Sequence, residues 1–405
     1  MSVSVIAAPA ERRADVSAPS RSNGTAHGLS VAIYLHDLAG GGVERQSLII
    51  AEEFRRHGAN VTLVLHQLRG QLLDQVPPGL RVVDLNSSRT LKDVRGLVRF
   101  LRSEQPDILL SNVDVNNVAA LLAKGVSFSN TKVVICQHNT ISASFAAGES
   151  WLYRHIALAY RVLSPLITRA VAVSEGVSAE LARLARLPSE LIVTINNPVV
   201  GPDFQARSLE TVDHPWLGSA RNSPVFVTAG RLVPQKDHET MIRALAIHRR
   251  EADSRLIILG TGPRYDALVD LVARLSLTHA VDFAGFHKNA LPFFREADAF
   301  LLSSRCEGFG NVVVEALGCG SPVISTDCEY GPREILDHGR YGVLVEPRNP
   351  AALAEAMDQV ATLRERFPAD MLRERAGDFS YAACASRYMA MFKALAPHRA
   401  WAASA

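Results

Sequence analysis

Two glutamates eight positions apart, Glu307 and Glu315, bracket the stretch Gly308-Phe309-Gly310-Asn311-Val312-Val313-Val314. Gly308 and Gly310 favour a loop around Phe309, and the run from Asn311 onward favours a helix. A loop-to-helix junction of this kind presents unpaired backbone N–H groups, which stabilise an anion such as a phosphate. Glu307, held in the loop, would be free to accept hydrogen bonds from sugar hydroxyls. Glu315, one turn inside the helix, would accept them from a ribose. Upstream, Gly230 and Arg231 follow the apolar run Val225–Ala229, and Lys236 follows five residues later. On such a loop Arg231 would bridge diphosphate oxygens with its planar fork, while Lys236 would act as a point charge. In isolation the same two cations also read as ordinary surface ion-pair partners.

Two further positions have chemical potential. Gly40-Gly41-Gly42 lies between an apolar run and a helical pattern, so the backbone could approach a bound group there; a tight turn is the equal alternative. A dinucleotide fingerprint fits poorly, because its third glycine would fall at Arg45 and no acid follows the second strand at the ribose position. His138, in Cys136-Gln137-His138-Asn139, ends another apolar run, a place a hydrogen-bonded structural histidine can also take. The five cysteines are scattered without metal-ligand spacing, and no D-x-D pair occurs, so no metal site is expected.

Positioning these groups requires a particular scaffold. Strand patterns at 30–35, 61–66, 108–111, 133–137 and 170–174 alternate with helical stretches, and the alternation restarts at 225–229, 255–259, 281–284, 299–302 and 322–325. That order means an α/β fold with two parallel sheets, each covered on both faces. The expected organisation is an N-terminal arm over 1–28, a first domain over 29–205, a linker over 206–222, a second domain over 223–380 and a final helix over 381–397. A chain of 405 residues suits two such domains, with the ligand cleft between them.

The formal charge of +2 excludes a protein held to nucleic acid by a strongly basic surface, and no apolar run approaches the roughly 20 residues of a membrane span. The apolar stretch at the N-terminus precedes its first charges, the reverse of a signal peptide, so a cytoplasmic protein is expected. One local pattern breaks the neutrality. Arg89, Lys92, Arg95, Arg99 and Arg102 recur every three or four residues, opposite Leu91, Val94, Leu97, Val98 and Leu101. Such a helix would lie peripherally on an anionic membrane, or it is a surface helix with its basic side in water.

GGGVER, GRLVPQKDH, GTGP at Gly260–Pro263 and EGFGNVVVE occur in this order, and together they resemble the motif set of the retaining GT-B glycosyltransferases of family GT4. The resemblance covers almost all of residues 30–395. It implies a GT-B fold, two Rossmann-like domains facing a central cleft, and a nucleotide sugar held mainly by the second domain without a cofactor or metal. Arg231 and Lys236 would hold the diphosphate, Glu307 the donor sugar and Glu315 the ribose. Backbone groups of Phe309, Gly310 and Asn311, with Val312 beside them, would meet the sugar or diphosphate, while Gly41 and Gly42 close from the opposite domain. Gly262 belongs to the donor-side motif, the base would sit near Phe286, and His138 matches the family's active-site histidine beside the reacting sugar. The segment Ser325–Leu336 resembles members that transfer hexoses or N-acetylhexosamines to polyprenyl-diphosphate-linked glycans, which favours a UDP-sugar and a lipid-linked or saccharide acceptor. A nucleotide-sugar epimerase or hydrolase of the same fold is the alternative, and a non-catalytic nucleotide-sugar-binding protein a weaker one.

Overall fold

The computed structural model describes residues 28–87, 92–141, 153–218, 223–328 and 330–397. Continuous Val/Ile/Leu runs such as Ile108-Leu109-Leu110 cannot be satisfied with one face in water, and they become strands covered on both sides. The first sheet contains β1 (Ser30–Leu35), β2 (Asn60–Leu65), β3 (Arg81–Asp84), β4 (Ile108–Asn112), β5 (Lys132–Gln137), β6 (Arg169–Ala172) and β7 (Ile192–Thr194). The second contains β8 (Val225–Ala229), β9 (Arg255–Leu259), β10 (Val281–Gly285), β11 (Ala299–Leu302), β12 (Val323–Thr326) and β13 (Val343–Val345). Their orders are β3-β2-β1-β4-β5-β6-β7 and β10-β9-β8-β11-β12-β13, with β1, β4, β8 and β11 paired in parallel. Each order reverses once, between β1 and β4 and between β8 and β11. Open parallel sheets bind ligands beyond the strand ends at these reversals, which places the ends of β4 and β8 at the centre of the site.

The chain crosses between domains earlier than the expected linker at 206–222. Val199 and Val200 donate backbone hydrogen bonds to Phe379 O (2.9 and 3.2 Å), and Tyr381 N returns one to Val200 O (3.0 Å). Phe204 is already buried against the second domain, because a Cβ on Gly318 would stand 2.7 Å from its ring. Residues 219–222 of the expected linker and 1–27 of the expected arm lie outside the described residues. The last helix, Tyr381–Leu395, packs back on the first domain. Its Tyr388 and Phe392 both stand edge-on to Phe54, at 5.7 and 5.3 Å between ring centroids.

The helix Asp93–Glu104 carries the basic stripe, and its apolar face does not meet lipid. Leu97 and Leu101 are fully buried, and Val94 and Val98 pack on the core. Its first turn is pinned from below: Asp93 accepts from Tyr34 Oη at 2.5 Å and lies 2.8 Å from His66 Nδ1. Arg95, Arg99 and Arg102 remain exposed. The stripe therefore has only its cationic face to offer a surface. Arg89 and Leu91 lie outside the described residues.

Candidate active site

The second domain builds its side of the cleft from two loops, one after β8 and one after β11. Gln235 Nε2 donates to Cys306 O (2.9 Å) and Arg305 N to Gln235 O (2.8 Å), which ties the loops together. Across this tie Lys236 Nζ donates to Glu307 Oε1 at 2.6 Å, and Ser304 Oγ donates to the same oxygen at 2.6 Å. Glu307 is only 7% exposed, so its charge depends on these two donors rather than on water. Arg231 stands exposed on the first loop. Gly262 lets the β9 loop lie on it, because a Cβ there would come within 2.6 Å of Leu232 O.

Gly310 adopts a left-handed φ of 102° and caps the helix Asn311–Gly318, as the glycine pattern requires. The Phe309 ring turns away from the cleft, buried edge-on to Phe379 at 5.4 Å between centroids, so only its backbone faces the site. Val312 is half-buried at the start of the helix. Glu315 is also half-buried, and burial pushes its carboxyl up to about 7 against the pull of Arg207 and Arg45. Neither cation is prominent in the sequence: Arg207 lies in the segment expected as linker, and Arg45 stands where a dinucleotide motif would need glycine.

The first domain meets this surface at His138, the residue after β5. A Cβ on Gly308 would stand 2.1 Å from His138 O, so the two backbones touch across the cleft. Around this contact Ser174 Oγ donates to Gly308 O (2.7 Å), Asn197 Nδ2 to Asn311 Oδ1 (3.0 Å), and Glu175 N and Asn196 Nδ2 to the Glu334 carboxylate (2.8 and 2.7 Å). The His138 imidazole is 3.0 Å from Asn112 Oδ1 through Nε2, and burial lowers its pKa to about 4. It is neutral at ordinary pH.

His138, Lys236, Glu307, Gly310, Asn311 and Glu315 thus gather where the two sheets face each other. Other expected positions are exposed. A Cβ at Gly41 would stand 2.3 Å from the Glu44 carboxylate, and the space at Gly42 is open among the described residues. Phe286 is 74% exposed after Gly285, whose φ is 77°. Asn112, Ser304 and Asn197 have no assigned role in the sequence motifs. Of these, Asn112 carries one readable signal, as the polar residue that ends an apolar strand.

Comparison with known proteins agrees with this construction. Residues 40–200 match the family described as Glycosyltransferase Family 4, and residues 211–378 match Glycosyl transferases group 1. An uncharacterized glycosyltransferase of Methanocaldococcus jannaschii is 28% identical over 305 residues, covering 70% of this chain and 74% of that protein. The Campylobacter jejuni N-acetylgalactosamine-N,N'-diacetylbacillosaminyl-diphospho-undecaprenol 4-alpha-N-acetylgalactosaminyltransferase is 33% identical over 155 residues, 38% of this chain and 42% of that one. In fold, Anabaena HepE in complex with UDP superposes with a TM-score of 0.72 at 20% identity, over 90% of this chain and 100% of that chain. With one family matched on each side of the interdomain crossing, and the motif loops of both meeting at His138, the chain belongs to the group 1, GT4-type glycosyltransferases of GT-B fold.

Proposed function

We propose that the protein transfers a hexosyl or N-acetylhexosaminyl group from a UDP-sugar to a lipid-linked or saccharide acceptor, with retention of anomeric configuration and without a metal. The observation that carries the reading is the Lys236–Glu307 pair, set beside a helix N-terminus and closed against His138 of the other domain. Departure of a nucleoside diphosphate builds negative charge on its oxygens and positive charge at the anomeric carbon. Arg231, Lys236 and the backbone N–H groups at Gly310 and Asn311 stabilise the leaving oxygens. Glu307 accepts a hydrogen bond from the sugar, and its carboxylate also favours the developing positive charge. The acceptor attacks from the face that the diphosphate leaves, so no enzyme nucleophile is required. His138, neutral, borders the reacting sugar, and Phe286 lies near the base. Gly41 and Gly42, at the rim of the other domain, close over the donor, and closure excludes water.

Two comparisons support the donor and acceptor classes. HepE is known in complex with UDP and with UDP-glucose. The C. jejuni relative is by name an N-acetylgalactosaminyltransferase acting on a diphospho-undecaprenol glycan. A thermal-shift panel of UDP-, GDP- and ADP-sugars, followed by transfer assays, tests the reading; stabilisation by none of them refutes it. Free sugar or an epimer as the main product without acceptor would favour a hydrolase or epimerase instead.

The ribose role of Glu315 gives the binding a pH signature. Burial pushes its carboxyl up to about 7, and the carboxylate accepts from ribose hydroxyls more strongly than the neutral acid does. UDP affinity should therefore rise about tenfold between pH 6 and pH 8, following the ionised fraction. Calorimetric titration of Glu315→Gln should lose this component and keep only the shallower slope of the diphosphate's own ionisation; an unchanged slope would remove Glu315 from the ribose.

The exposed Arg95, Arg99 and Arg102 face also supports peripheral attachment at the cytoplasmic side of an anionic membrane, by charge alone. Liposome flotation should show binding that needs anionic lipid and falls at high salt. An Arg95→Glu/Arg99→Glu variant that floats as well as the wild type would sink this attachment.

A further inference from the structure

Resting on the reading of His138 as the group beside the reacting sugar, we infer that Asn112 is its positioning residue and fixes which imidazole nitrogen carries the proton. Asn112 is the last residue of β4, at the point where the strand order of the first sheet reverses, and β4 pairs directly with β5, which ends one residue before His138. The amide is 3% exposed and presents Oδ1 to His138 Nε2 at 3.0 Å. With the amide in this orientation Oδ1 accepts, so the neutral ring carries its proton on Nε2, and Asn112 Nδ2 is itself buried without a partner among the described residues. Nδ1 is then a lone-pair acceptor. It is buried and has no partner among the described residues. Asn112 and His138 also line a cavity of about 20 Å³, with room for about one water, among Gln46, Ser47, Leu110 and Tyr388.

The backbone supplies an independent observation. Val113, the residue after Asn112, has φ 74° and ψ 141°, a conformation that a β-branched residue adopts only when its surroundings impose it. Val113 is 38% exposed, so burial of its side chain does not explain the strain. The strain falls instead at the turn that lets β4 end with the Asn112 side chain in the cleft before the helix Asp114–Ser127 begins. A histidine held in one orientation by an amide on a strained strand end suits a group that takes a hydrogen bond from a hydroxyl of the bound sugar, directly or through a water in that cavity. In that role an imidazole with its proton on Nδ1 would present the wrong polarity.

Long-range ¹H–¹⁵N correlation spectra of histidine-labelled protein test the assignment without substrate, with His138→Gln identifying the resonance. The wild type should show the Nε2–H tautomer, and Asn112→Ala should show a mixture. Transfer by Asn112→Ala should fall about tenfold in kcat with donor KM within twofold, as expected when a positioning partner is lost. Asn112→Asp, nearly isosteric, should raise the pH at which His138 titrates by at least one unit and shift the rate profile with it. An Nδ1–H tautomer in the wild type, an unaltered tautomer in Asn112→Ala, or unaltered His138 titration in Asn112→Asp each overturns the inference. Wild-type transfer by His138→Gln would instead refute the role given to His138 itself, and the tautomer is read independently of that result.

Discussion

Replacing Lys236 with methionine should reduce sugar transfer by about 10²–10³-fold, the usual loss when one preorganised charge at a leaving group is removed. The same change should also destabilise the second domain by about 3 kcal/mol, because Glu307 would be left buried with Ser304 as its remaining side-chain donor. The two effects are separable. In Lys236→Met/Glu307→Gln the uncompensated charge is gone, so most of the stability should return while transfer stays low. Initial rates and urea unfolding of the two single variants and the double variant give a complete cycle. Full stability recovery with full activity recovery would show that the pair is only a structural ion pair.

Gly308→Ala should abolish transfer more than 100-fold by a different route. Its Cβ would stand 2.1 Å from His138 O and 3.1 Å from Asn139 Oδ1, and the first contact is with backbone of the other domain. The domains can relieve it by separating, so the expected product is a folded protein held open. Small-angle scattering should show a larger radius of gyration, and UDP affinity should remain within about threefold because Arg231, Lys236 and Glu315 are untouched. A near-attack arrangement tolerates displacements of only about 1 Å, so loss of rate with retained nucleotide binding is the signature. Wild-type transfer by Gly308→Ala would mean that the contact with His138 is not part of the working geometry.

How much of this was legible beforehand depended on burial. Strands at the centre of the two sheets announce themselves through unbroken apolar runs, as in Val225–Ala229 and Arg255–Leu259, whose bounds agree with the sequence pattern. The three unanticipated strands, β3, β7 and β13, are all edge strands of three or four residues, half-buried or exposed along their length. An edge strand has one open side and little apolar demand, so its sequence carries little signal. The Glu307-to-Glu315 junction was readable because glycine and helix periodicity are local rules. The role of Asn112 was not, since pairing β4 with β5 is a long-range event. The basic helix was half-legible: its periodicity gave both faces, but only packing shows that the apolar one is already occupied.

The interdomain crossing limits how the cleft can move. Both covalent connections pass side by side, with Val200 bridged to Ser380 in parallel, and both ends of the described chain are anchored in the same domain. The second domain is therefore an insertion hung on a two-strand ribbon rather than a bead on a string. Two adjacent pins suppress twisting and sliding and leave bending about the ribbon as the soft coordinate. Each cycle of opening would return Gly308 to the same carbonyl of His138 without a search over orientations. The accuracy of the site is thus a property of its hinge as much as of its side chains.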